Sequence, residues 1–235
     1  MRRLALASLL IAGLTLGCTH RGGDPMPEIA NLNPDPSRYP DHWWAPVPEE
    51  EAAWWEVLPQ AAAPGEVILS KRHELGLLSN FAPTPFTFHG VTYPCVEALW
   101  QSMKFPEDSN DPRALAPDLT WPFTRAEVAQ MGGFEAKAAG DAATENMRAM
   151  GIDWVTFEGR RMQYWGVGRG EHFDLIVEAM RAKLAQNPEV RDVLLSIGNL
   201  TLRADHTQDP DWPPAWFYNE IWMEICAELQ LGKGS

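Results

Sequence analysis

The chain has 235 residues, 45% of them hydrophobic and 10% aromatic, which is the make-up of a globular protein with one good core. Its formal charge of −13 excludes broad attraction to nucleic acid or to an anionic lipid face, so a phosphate-bearing ligand would need a local cluster of Lys and Arg. One domain behind an N-terminal extension is the economical reading.

Arg2 and Arg3 precede an apolar run from Leu4 to Leu16, which closes on Gly17-Cys18. A charged start, an apolar stretch too short to span a bilayer and a small residue before the Cys describe an export peptide rather than a membrane helix. The pattern resembles a bacterial lipoprotein precursor. That resemblance implies a signal peptide over residues 1–17, lipidation of Cys18, and a place at the periplasmic face of the outer membrane through the lipid anchor. From 18 to 65 the chain is rich in Pro, Ala and acidic residues without a sustained period, as in a tether. Trp43, Trp44, Trp54 and Trp55 are unusual for a free linker: either they dock onto the domain or they are offered to a protein partner.

The domain proper is expected over 66–231. Glu66 to Ser70 is a short strand, and Leu78-Ser79-Asn80-Phe81 a β-like stretch entering a hairpin. The hairpin itself is Phe86 to Tyr93, aromatic and β-branched residues on either side of a His89-Gly90 turn. Pro94 suits the first position of a helix, and Thr124-Arg125-Ala126-Glu127 has the spacing of a capping box. Further helices are expected over Ala136–Met150, over Phe173–Leu184 with its apolar stripe, over Pro188–Ser196 with Asn187 as cap, and over Asn219–Leu231. Leu200 to Ala204 alternates like a strand. The sum is a mostly helical α+β domain with a few short strands.

Two places carry chemistry. On the helix after Pro94, Glu97, Gln101 and Lys104 share one stripe, while Val96, Leu99, Trp100 and Met103 form another. Burial would disfavour the charged form of Glu97 and Lys104 would favour it; from this helix alone, an ordinary solvated Glu–Lys face is the simpler reading. The second place is the acidic loop Asp205–Asp211 beside Trp212, where an indole could stack on a base while a carboxylate addresses a ribose. From the loop alone, a polar turn with a Trp packed against the core is again the simpler reading. No cofactor is expected: there is no phosphate-binding Gly-rich loop, and the six His show no ligand spacing, so no metal site is expected either. Cys95 and Cys226 either pair or remain buried thiols, and their separation alone establishes no bridge.

The ordered words Leu78-Ser79-Asn80-Phe81, Gly90-Val91-Thr92-Tyr93-Pro94, Glu97, Gln101 and Lys104-Phe105 resemble the NADAR family, which includes YbiA-type N-glycosidases. The likeness continues through Ala129-Gln130-Met131-Gly132, Met180 to Pro188, and Asp209 with Trp212. It implies a compact, mostly helical α+β fold that hydrolyses an N-glycosidic bond in a ribosylated, phosphate-bearing substrate, either ADP-ribose-like or of the ribosylamino-pyrimidine type. Carried over, Glu97 and Asp209 are the catalytic pair, with interchangeable roles. Asn80, Phe81, Gln101, Lys104, Trp154 and Trp212 face the substrate. The chain departs from the family pattern at Cys95, Ala98 and Pro213, where a capping hydroxyl, a His and a Gly usually stand. The alternative is a non-catalytic module that binds ADP-ribose or another NAD derivative at the cell envelope.

Overall fold

A computed structural model describes residues 36–232 except Val167. The expected signal peptide, Cys18 and the first part of the tether therefore lie outside the described residues. Among the described residues no helix is long and apolar enough to cross a membrane.

The fold is α+β and mostly helical. Three two-stranded sheets are present among the described residues. Strand β1 (Glu66–Ile68) runs parallel to β6 (Thr201–Arg203), with Val67 opposite Leu202. Strands β2 (Phe86–Phe88) and β3 (Val91–Tyr93) form the expected hairpin, with Thr87 opposite Thr92. His89 and Gly90 take φ values of 47° and 80°, which is the left-handed pair that a two-residue turn of this kind demands. A second hairpin, β4 (Trp154–Phe157) and β5 (Arg160–Gln163), was not expected; Glu158 (φ 49°) and Gly159 (φ 74°) make its turn.

The helices are α1 (Val96–Ser102), α2 (Arg125–Val128), α3 (Gly133–Ala149), α4 (Glu171–Gln186), α5 (Pro188–Ser196) and α6 (Tyr218–Gln230). The capping box at α2 forms as expected: the Thr124 hydroxyl accepts from the Glu127 N–H, and the Glu127 carboxylate accepts from the Thr124 N–H at 2.7 Å. Pro94 lies two positions before α1 rather than at its first, because Cys95 is the cap, its Sγ accepting from the Ala98 N–H at 3.4 Å. This thiol stands in for the hydroxyl usual at an N-cap. Asn187 precedes α5 as expected but does not cap it; its amide donates to the Pro85 and Lys183 carbonyls and ties α4 to the hairpin. Cys95 and Cys226 are both free and buried.

Every residue of α1 is buried, so this is a central helix, packed between α3 and α4. The stretch before it is not a strand: Glu74–Leu78 is a 3-10 turn, and the chain then turns through Ser79 to Phe81. Two long side chains hold that turn from beneath. Lys183 of α4, 0% exposed, donates to the Leu77 and Ser79 carbonyls at 2.6 and 2.8 Å, and the Trp222 indole of α6 donates to the Leu78 carbonyl at 2.6 Å. Burial pushes the Lys183 ammonium down to about 7.

The segment from 36 to 65 packs onto this body. Trp43 is 1% exposed within the main core, and the Trp44 indole donates to the Glu66 carbonyl at 2.9 Å. The Val57 N–H donates to the Asp205 carbonyl at 2.7 Å, and Glu56 pairs with His206 in an isolated antiparallel bridge. Trp54, by contrast, is 97% exposed. Of the four indoles considered for a partner, Trp43 and Trp44 are thus engaged by the domain itself.

Candidate active site

The polar stripe of α1 is buried rather than solvated. Glu97 is 5% exposed, Gln101 1% and Lys104 5%. The Gln101 amide donates to Glu97 Oε1 at 2.7 Å, one helical turn away. The Glu97 N–H donates to the Asn80 carbonyl at 2.9 Å, which locks the turn before the hairpin onto the first turn of α1. Lys104, just past the end of α1, donates to Thr144 Oγ1 at 3.0 Å on α3 and lies 5.0 Å from the Trp100 ring centroid.

Burial raises the Glu97 carboxyl above the ordinary carboxylate range, against the Gln101 hydrogen bond and the Lys104 charge, which both pull it down. Burial likewise pushes Lys104 down to about 8, with Glu97 opposing. Each group is disfavoured in its charged form by desolvation and supported by the other. Gln101 Oε1, on the same stripe, and Asn80 Oδ1 are buried acceptors without a protein partner. Such atoms are costly when left dry and favourable when a ligand hydroxyl or amine meets them.

Two glycines of α3 make this crowding possible. A Cβ on Gly140 would stand 1.6 Å from Gln101 Oε1, and one on Gly133 would stand 2.6 Å from the Phe81 Cα. Phe81 is half-buried and packs its ring 5.0 Å from that of Phe134.

A second cluster lies on the loop after β6. Asp205, 1% exposed, pairs with Lys71 and accepts from the Tyr218 hydroxyl at 3.1 Å, with His206 Nδ1 also at 3.1 Å. Burial opposes ionisation of Asp205, yet the His206 and Lys71 contacts win and hold its carboxyl below the usual range. Lys71 in turn sits 5.1 Å from the Trp55 ring and 5.5 Å from the Phe81 ring, so the N-terminal segment and the turn before the hairpin meet over this ion pair. The Tyr218 hydroxyl is pushed well above its ordinary value, first by burial, then by Asp205, with a further contribution from Glu97. Tyr218 is therefore within electrostatic reach of both buried carboxylates.

Glu97, Gln101 and Lys104 share one buried stripe, and the Asn80 carbonyl is bonded to the first turn of α1, whereas the described contacts of Phe81 are with Lys71, Gly133 and Phe134. Asp209 stands apart from them in an exposed turn, where its Oδ1 accepts from the Asp211 N–H and its carbonyl from the Trp212 N–H, each at 2.9 Å. Trp212 is half-buried in an aromatic row, 6.3 Å from His206 and 5.6 Å from Trp216, which lies 5.4 Å from Trp165. Trp154 belongs to the β4–β5 hairpin, where the Arg161 and Arg113 guanidiniums lie 3.8 and 4.9 Å from its ring. None of the described contacts of Asp209 or Trp154 is with the Glu97 cluster. Sequence reading missed Lys71, Gly140 and Tyr218; the only hint of Asp205 was its place in the acidic loop.

No family model and no curated protein matches the chain. Among solved structures, the NMR structure of the E. coli protein YbiA is similar, at 20% identity and a TM-score of 0.43, over 71% of this chain and 86% of that one. The geometry of the site rests on the contacts of this chain alone.

Proposed function

We propose that this protein hydrolyses an N-glycosidic bond in a ribosylated, phosphate-bearing substrate, of the ADP-ribose-like or ribosylamino-pyrimidine type. The observation that carries this reading is the buried Glu97 carboxyl, raised by desolvation and held by the Gln101 amide, whose Oε1 is an unpartnered buried acceptor, as is Oδ1 of Asn80, the residue whose carbonyl accepts from the Glu97 N–H. A carboxyl that retains its proton can protonate a departing base, and as a carboxylate it can activate water or face the positive charge of an oxocarbenium-like state. The two acceptors suit the hydroxyls of a sugar. Lys104 supplies an ammonium on the same stripe, and Phe81 with Trp212 offers aromatic faces for a ring. Asp209, exposed beside Trp212, is the proposed ribose partner on the far side. The order of sequence words shared with NADAR proteins supports the same reaction class.

The test is release of free base or ribose phosphate from ADP-ribosylated nucleoside and from ribosylamino-pyrimidine phosphate by purified protein. Turnover by wild type that is lost in Glu97→Gln supports the enzyme. Equal, non-hydrolytic binding of ADP-ribose by both proteins would instead make this a binding module. The envelope location is proposed on the same footing: metabolic fatty-acid labelling of wild type, abolished in Cys18→Ser, is its expected signature.

A further inference from the structure

Outside the Glu97 site, three ligating side chains converge from two parts of the chain. His42 comes from the 3-10 turn Asp41–Trp44 of the N-terminal segment, while His73 and Glu74 stand at the start of the turn Glu74–Leu78. His42 Nε2 lies 2.9 Å from both Glu74 oxygens, and His73 Nδ1 lies 3.9 Å from Glu74 Oε2. One ligand atom from each of the three falls within 4.8 Å of the others. The imidazole rings meet edge to face, 5.6 Å apart.

We infer that His42, His73 and Glu74 form a binding site for a divalent cation of the zinc class, which clips the N-terminal segment to the body of the domain. Two neutral imidazoles and a carboxylate are a donor set for Zn2+ and its neighbours rather than for Mg2+ or Ca2+, which prefer all-oxygen sites. Donors about 2.0–2.2 Å from a tetrahedral Zn2+ stand roughly 3.3–3.6 Å apart. The separations of Glu74 from the two imidazoles, 2.9 and 3.9 Å, bracket that spacing, and all three ligand atoms lie within 4.8 Å of one another, so a bound ion would draw them together by side-chain rotation.

His73 gives the site an independent mark. Its Nδ1 accepts only a long hydrogen bond, from the Leu75 N–H at 3.4 Å, so this nitrogen carries its lone pair and not the proton, and a cation beside Glu74 would take that lone pair in place of the Leu75 N–H. Its Nε2 is buried without a partner. The ring thus spends its one lone pair on a poor hydrogen bond, while a carboxylate oxygen lies 3.9 Å from the same nitrogen. A cation placed between the two would meet both acceptors. The opposite side of Glu74 is already supported, since the Trp43 indole donates to its Oε1 at 2.7 Å, the kind of outer contact that orients a ligating carboxylate. His42 is exposed, which leaves an entry path and room for a water as fourth ligand. His42 and Glu74 are 32 positions apart, so no short sequence spacing announces the set.

The experiment is calorimetric titration of the full chain, stripped by chelator, with ZnCl2, alongside Co2+ as a visible probe of tetrahedral coordination. Wild type and a control, His89→Gln, are expected to bind one equivalent with the same affinity, and chelator is expected to lower the thermal midpoint of the loaded protein. His42→Gln, an exposed change that leaves the core intact, is expected to weaken binding by at least the roughly 10- to 100-fold that loss of a supporting group costs. Glu74→Gln keeps an acceptor for Trp43 and is expected to do the same. Absence of stoichiometric binding by wild type would overturn the proposal, as would equal affinity in His42→Gln and His89→Gln, the sign of an adventitious surface ion.

Discussion

Gly140 and Gln101 share a space that only one side chain can fill. The Gln101 amide reaches back one turn along α1 to hold Glu97 at 2.7 Å, and its other amide atom, Oε1, lies 1.6 Å from where a Cβ on Gly140 would stand. The polar stripe of α1 is thus shaped from the neighbouring helix, by the lack of a side chain there.

Gly140→Ala should therefore displace Gln101 and loosen Glu97 with both of those residues unchanged in sequence. Overpacking of this kind costs about 1–3 kcal/mol, less whatever Ala gains in helix propensity. Urea denaturation should show that loss. If Glu97 is catalytic, hydrolysis should fall by more than the fraction unfolded accounts for.

Asp209 is exposed, and its hydrogen bonds are local, so Asp209→Ala should change stability by only about 0.5 kcal/mol. Any loss of substrate affinity in that variant would be a direct effect. Asp205→Asn should behave differently: it removes the buried charge that pairs with Lys71 and accepts from Tyr218, and is expected to cost about 3–5 kcal/mol. Thermal melts of the two variants side by side check the contrast.

Trp43→Ala should destabilise the whole domain, by about 3–5 kcal/mol for a fully buried indole. Its ring sits in the main core at 1% exposure, so the change should lower the single cooperative unfolding transition rather than merely free the N-terminal segment. Trp54→Ala, at a residue 97% exposed, should leave that transition in place. Denaturant curves monitored by fluorescence and by circular dichroism should coincide for both.

The buried lysines give a pH dependence whose sign can be stated. Lys183 is held down to about 7 and Lys104 to about 8 in the folded chain, against an ordinary 10.5 when unfolded. Between those values the unfolded chain binds more protons, so stability should rise with pH from about 7 towards 10.5 and fall as pH drops through about 8 and then 7. Lys183→Met should flatten this rise while lowering stability overall, because the Leu77 and Ser79 carbonyls lose their donor. Denaturation midpoints at several pH values between neutrality and pH 9 would show both effects, and a slope unchanged in Lys183→Met would rule out this lysine as its source.

Much of the chain was legible in its sequence, because the signals were local. The His89-Gly90 turn, the capping box at Thr124, Pro188 at the head of α5 and the apolar stripe of α4 each depend on residues a few positions apart, and all formed. The β4–β5 hairpin escaped because Glu158-Gly159 is a weaker turn signal than Asn-Gly or Asp-Gly. The same periodicity placed Glu97, Gln101 and Lys104 on one face of α1. It could not tell a solvated face from a buried one, since that depends on what packs against the helix: Gly140 of α3, and the turn at Asn80 held by Lys183 and Trp222. Nor could it select Asp205, whose ionisation is stabilised by Lys71 and His206 and reached by Tyr218. The meeting of His42 with His73 and Glu74 was beyond it for the same reason. Periodicity reports which side chains leave one element together; burial, charge pairing and ligand convergence arise between elements, where only the folded chain brings distant residues within reach of one another.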